Sequence, residues 1–460
     1  MKIKLTLLLM LWTGSIPALV SQTILMPPDL ANGDNFGRNV SIHEHRIVAS
    51  TNNFNELNTV HAFQKTGAQW EYDGELMPGD LTLSDEYGRD LDVYGDYAVV
   101  GAPSAGGQGK AYVFHRTGDQ QWTMMQALQS ADIAAGDDFG IAVDIYETTI
   151  LVGASGKSSG KGAAYFFELD NGTWMEKAKV TVTVPNSSLF GHYLSLDGDY
   201  AAICAHQAET VFVFKRDGDA WNNQQTLDSP DGNNNSFGVT ASIRKDRLLV
   251  GSLRDDQVAN DAGAAYVYKR TGDSWSLEQK LTASDGSDGR NFGGRISLSE
   301  HYACIGTLYD INFNTGATYI FKRDGTTWSE VEKYTTGQND YFGWATDIVG
   351  NVAVVGAYAA TGGGAVYVYD LPEVVSAFEA GRPALELNVY PNPARDALWV
   401  DLPADWQESE FALFSADGRI VRTWKQGHGQ PISLQELPTG AYFLKVQFGE
   451  AIGLARFRKF

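Results

Sequence analysis

One two-residue signature, an aromatic side chain followed by glycine, recurs seven times and constrains this chain more than any other feature. The pairs are Phe36-Gly37, Tyr87-Gly88, Phe139-Gly140, Phe190-Gly191, Phe237-Gly238, Phe292-Gly293 and Phe342-Gly343. Successive pairs are 51, 52, 51, 47, 55 and 50 residues apart. A unit of that length cannot bury an apolar face alone, so a fixed period of this size signals stacked units of propeller or solenoid type.

Other landmarks keep step. After each pair comes a run of β-formers ending in small residues, as in Tyr97-Ala98-Val99-Val100-Gly101-Ala102 and Val354-Val355-Gly356-Ala357. An aromatic run follows, such as Ala111-Tyr112-Val113-Phe114 or Ala265-Tyr266-Val267-Tyr268. A glycine turn and a tryptophan then close six of the units, at Trp70, Trp122, Trp174, Trp221, Trp275 and Trp328. Four short strands per unit, tight-turn chemistry and almost no helical period predict an all-β fold, a seven-bladed β-propeller. The seventh unit runs from Tyr369 into Asp370-Leu371-Pro372 and lacks a fourth strand. Thr23-Ile24-Leu25-Met26 matches the missing piece, so the N-terminal segment is expected to close the ring and leave no free sheet edge.

These residues resemble FG-GAP repeats, the units of the integrin α-chain propeller, over residues 22–370. The resemblance implies the fold. It implies no reaction, because propellers host many activities.

The ends differ in character. Residues 1–21 read as a signal peptide: Lys2 and Lys4, an apolar stretch from Leu5 to Trp12, and small residues before Gln22. No other stretch is expected to span a membrane. Residues 371–385, with Pro372, Gly381 and Pro383, read as a linker. Residues 386–460 show alternating short strands of a small β-sandwich. Their marks are Tyr390, Pro391, Asn392 and Pro393, then Asp417-Gly418-Arg419, Gly440-Ala441-Tyr442 and a basic tail. This module resembles the type A sorting domain of the type IX (Por) secretion system of Bacteroidetes. The resemblance implies passage through the periplasm, the type IX machinery as partner, and a secreted or outer cell-surface destination.

The net charge is −21, and the last 75 residues hold 9 acidic and 8 basic groups, so the acidity resides in the repeats. Such a field opposes nucleic acid and anionic membranes. Cys204 and Cys304 fall out of phase two units apart and read as two buried small residues without a disulfide.

No catalytic constellation emerges, and no enzyme is expected. Gly156-Lys157-Ser158-Ser159-Gly160 fits G-x-S-x-G, but it lies between two strands, not on a strand-to-helix elbow. His43 and His45 lack carboxylate company and read as exposed surface. Trp328 has glycine three residues before it but Arg323 where a sialidase-type Asp box needs aspartate. Integrin-type calcium loops do not carry over, since the corresponding turns are too short. Calcium is the one cofactor suggested, by the oxygen-rich loops holding Asp231 and Asn233, and Asp285 and Asp288.

The longest loops are 50–59, 103–110, 155–161, 252–262 and 307–315, all joining second to third strands and therefore all on one face. Variable loops on a rigid ring make a recognition surface. Phe54, Tyr309, Phe313 and Tyr358, with Asp255, Asp256, Asp261 and Asp310, are its candidate ligand-binding residues. The expectation is an exported cell-surface or secreted binding protein that recognises glycans or proteins. The alternatives are a glycosidase or lyase on a propeller scaffold, and a structural surface scaffold.

Overall fold

The computed structural model describes residues 21–232, 235–307, 315–372, 385–403, 406, 408–415, 420–427, 429–448 and 451–460. Residues 1–20 and 373–384, and the candidates Asn233, Tyr309, Asp310, Phe313 and Gly418, lie outside the described residues. The chain divides into two compact units after Leu371.

The first unit contains seven four-stranded antiparallel sheets. Six are consecutive in sequence. The seventh joins Ala345–Val349, Val352–Ala357 and Ala365–Asp370 to the N-terminal strand Ser21–Leu25, in register from Ser21 opposite Asp370 to Leu25 opposite Val366. Each sheet's first strand packs against the first strand of the next sheet, and the seventh packs against the first, so the blades form a closed ring around a central channel.

The repeat signature shows its purpose here. All seven aromatic side chains are buried in the seams between sheets, each removing apolar surface worth about 2 kcal/mol. The glycine after each aromatic has positive φ, as does the residue before the aromatic in all seven units: Asn35, Glu86, Asp138, Leu189, Ser236, Asn291 and Tyr341. The resulting turn brings one blade's backbone against the next. A Cβ on Gly356 would lie 2.0 Å from the carbonyl oxygen of Gly37, across the seam where the ring closes.

Outer strands are clamped by side chains. The amide of Gln126 accepts from the backbone N–H of Trp174 and donates to its carbonyl, at 2.9 and 2.8 Å. Gln225 does the same for Trp275, and Gln279 for Trp328. Cys204 and Cys304 are both free and buried.

The second unit holds a five-stranded sheet, built on Glu408–Ser415, Ile420–Gly427, Gly440–Phe448 and Ala451–Lys459, and a three-stranded one. Leu398, Phe411, Leu413, Ile432, Leu444 and Val446 fill its core.

Candidate functional site

The seven inner strands present their side chains to the channel in layers, and each layer is one column of the repeat. The fourth residue after each glycine gives Ser41, Asp92, Asp144, Ser195, Ser242, Ser297 and Asp347. Each accepts a hydrogen bond from the backbone N–H of the following blade, at 2.8–3.3 Å. This ring ties all seven blades together. It also seats carboxylates deep in the channel. Asp90, one layer nearer the loop face, accepts from the N–H of Val143 at 2.9 Å.

These carboxylates keep part of their surface open to the channel, yet protein walls them in, and that enclosure disfavours charge. Burial pushes Asp90 up to about 7, against the pull of the Val143 N–H. It pushes Asp92 up to about 6, against hydrogen bonds from Asp144, Ser41 and Ile145. Asp144 is held well above the carboxylate range by burial and by its neighbour Asp92. Asp347 is raised by burial.

Toward the loop face the chemistry inverts. The first and second residues after the glycines bring Arg38, Arg89, His192, Tyr193, Arg295 and Trp344 to the mouth of the channel. The guanidinium of Arg38 lies 4.2 Å from the centroid of Trp344 and 4.8 Å from that of Tyr358. Tyr358 stacks on Tyr341 at 4.7 Å. Arg295 lies 5.7 Å from the ring centroid of Tyr193 and donates to the carbonyl of Gly294. Among the described residues none of the three arginines forms an ion pair. Glu86 and Asp138 stand near Arg89, and Asp90 near Arg295, without pairing. Burial lowers Arg38, as does repulsion from Arg295 and Arg89, while Tyr358 opposes the shift. His192 is pushed down to about 3 by burial, His206 and the same two arginines, and His206 is lowered by burial, so both imidazoles are neutral. The cavity behind this collar measures about 190 Å³ and ends at the serine–aspartate ring.

At the opposite end of the channel the side chains pack on one another. His43 stacks on Tyr94 at 4.0 Å, Tyr94 packs on Tyr146, and Arg244 pairs with Asp197 at 3.0 Å. His43 is therefore not the exposed surface residue that its isolation in sequence suggests: its ring is stacked, and its Nδ1 accepts from the N–H of Gly95.

Of the sequence candidates, Tyr358 alone among the described ones joins the mouth. Phe54 is 84% exposed, at the tip of its loop. Asp255 is buried and, with Asp231, accepts from Lys280 Nζ and from the hydroxyl of Tyr266. The ammonium thus already engages oxygens of both carboxylates, and Lys280 and Tyr266 hold the Asp231 carboxyl below its usual range. Asp285 is matched in the same way by Lys333 and Tyr319, which outweigh the effect of its burial. Asp288 accepts from the N–H of Asn260, and Asp256 from that of Asp261, so these fix loop shape. Among the described residues no group of three metal-binding side chains comes together. Lys110–Asp80 and Lys179–Asp132 repeat the lysine–aspartate pairing in other blades. In the second unit Tyr390, Pro391, Asn392 and Pro393 are exposed. Asn392 bridges to the backbone of Arg456 and Arg458, and the Tyr442 hydroxyl donates to Pro438. Gly440 opens the strand that carries Tyr442.

Two family models match the chain. FG-GAP repeat matches residues 70–114, 122–167, 221–268, 275–321 and 328–369, and secretion system C-terminal sorting domain matches 388–456. The chain is an FG-GAP propeller protein with a type IX secretion sorting tail. That tail directs it to the outer surface through the type IX machinery. No helix among the described residues is long and apolar enough to cross a membrane. Comparison with curated proteins gives no match. Solved structures similar to this FG-GAP protein include the periplasmic gluconolactonase PpgL of Pseudomonas aeruginosa, at 15% identity over 65% of this chain and 85% of that one, with a TM-score of 0.46. The WD40 domain of Toxoplasma gondii coronin is 7% identical over 77% and 87%, with a TM-score of 0.49. A putative 6-phosphogluconolactonase from Bacteroides uniformis is 13% identical over 66% and 89%, with a TM-score of 0.47. Likenesses this loose carry no functional argument.

Proposed function

We propose that this is an exported recognition protein, secreted or held at the cell surface, that binds glycans or proteins through the loop face of its propeller. The observation that carries this reading is the channel mouth. Three arginines without ion pairs among the described residues, set among four aromatic rings, stand in a chain of net charge −21. Leaving half-buried cations unneutralised costs stability, and a binding site is the ordinary reason to bear that cost.

The test is a glycan and matrix-protein array probed with the mature full-length chain, with calcium and with chelator. Binding to a discrete ligand class, lost in Arg38→Gln, supports the reading. Silence from a folded protein across the array sinks it. One observation favours a second reading, an enzyme on extracellular polysaccharide: Asp90, pushed up to about 7 beneath the mouth, has the protonation balance of a general acid. Turnover of an array-positive glycan that disappears in Asp90→Asn would replace binding with catalysis.

A further inference from the structure

We infer that the mouth of the channel receives the terminal carboxylated sugar, a hexuronic acid, of an acidic glycan. The inference rests on the recognition reading above and narrows it to one ligand chemistry and one mode of entry.

Three features select the ligand. The first is charge. Among the described residues the Arg89 guanidinium makes no hydrogen bond or ion pair, that of Arg295 bonds one backbone carbonyl, and Arg38 is engaged by Tyr358 and Trp344. Guanidinium groups with free N–H edges match the two oxygens of a carboxylate. A multiply charged group fits less well, because Asp90 and Asp92 lie directly behind the arginines in the same cavity. One negative charge answers the arginines; two would meet the acidic ring.

The second is the wall. Beyond the arginines the cavity wall sets hydroxyl and amide groups, among them Asn39, Ser195, Thr240, Ser242 and Thr346, beside apolar residues such as Leu91, Val143 and Ile296. Such a lining suits a polyhydroxylated ring. A peptide C-terminus would offer the same carboxylate but carry its last side chain into a polar pocket, losing the apolar burial that peptide sites depend on.

The third is depth. The cavity of about 190 Å³ reaches the serine–aspartate ring, and on its far side His43, Tyr94 and Tyr146 pack ring against ring beside the Arg244–Asp197 pair. A glycan cannot thread through. It enters end first, so a chain terminus or a single-residue branch is recognised, and an internal uronate is not.

The experiment titrates the mature full-length protein by calorimetry, and by Trp344-sensitive fluorescence, with a panel of oligosaccharides ending in glucuronate, galacturonate or mannuronate. Each is paired with its carboxyl-reduced neutral form and a sulfated neutral form. A peptide free acid and its amide form a fourth arm. At least one uronate-terminated sugar should bind, and carboxyl reduction should weaken it about tenfold or more. Arg89→Gln should weaken it to a similar degree with an unchanged melting temperature, and Arg89→Lys should recover part of the loss. Capping the uronate with a further sugar should abolish binding. The inference is overturned if the neutral or sulfated sugar binds as well as the uronate, if capping has no effect, if Arg89→Gln binds like the parent, or if the free-acid peptide binds and no uronate does. Binding of a neutral glycan or a protein on the array, with no response to uronates, would sink this inference and leave the recognition reading standing. Silence from every probe would sink both.

Discussion

The two ends of the central channel are built from the same seven strands, and they treat charge in opposite ways. At the hairpin end Arg244 is answered by Asp197, and His43, Tyr94 and Tyr146 pack ring against ring. At the loop end Arg38, Arg89 and Arg295 crowd together with no carboxylate paired to them among the described residues. A satisfied end closes the fold; an unsatisfied end is free to be satisfied by something else. The proposed recognition role rests on that difference, without reference to any particular reaction.

That contrast can be broken in stages. The largest effect should come from opening the ring itself. Deleting residues 21–25 removes an entire strand ladder and the buried Leu25, and should cost about 3–5 kcal/mol, seen as a much lower melting temperature and loss of both ends of the channel together. An unchanged melting temperature would mean the seventh sheet needs no clasp. Gly356→Val should cost about 3 kcal/mol or more, because its Cβ would collide with the carbonyl of Gly37. Equal stability in urea titration would deny that close approach.

Asp90→Asn probes the layer between the two ends, and its effect depends on pH. The folded carboxyl titrates near 7, above its unfolded value near 4, with Asp92 and Arg295 facing it. A raised carboxyl contributes stability fully present below the unfolded value and lost as pH rises through the folded one. Asparagine keeps an acceptor for the Val143 N–H and carries no charge. Parent and variant should therefore melt alike at pH 4, and the variant should be more stable at pH 8, by about 2–4 kcal/mol. A difference of the opposite sign would show the carboxylate to be stabilising. The smallest effect should be that of Arg244→Gln: about 0–1 kcal/mol of stability, for a partly exposed pair, and no change in ligand binding. Weakened binding there, with Arg89→Gln silent, would reverse the assignment of the two ends.

The fold was legible because its information is local and repeated. Each aromatic-glycine pair specifies one seam, and seven copies in phase leave no other architecture; even the clasp at Thr23 to Leu25 could be read from the gap after Tyr369. The site was not legible in that way. Arg38, Arg89 and Arg295 stand some 50 residues or more apart and look ordinary one by one. Reading down the column just after each glycine would have found them, together with His192 and Trp344. The acidic loops were hard to read for the complementary reason. Asp231 and Asp285 resemble metal ligands until Lys280 and Lys333, supplied by distant outer strands, are folded onto them. Sequence shows which groups are present; only folding shows which are already spoken for.

The clasp also sets how the ring bears load. Ser21 lies opposite Asp370, so the strand enters at the same edge where the last blade ends. Tension between these two points peels the ladder one hydrogen bond at a time, the weakest way to load a sheet. A pull applied at the mouth instead spreads through the seven inner strands and the side-chain ring that joins them. The same ring is therefore compliant when drawn by its tail ends and stiff when drawn from its mouth.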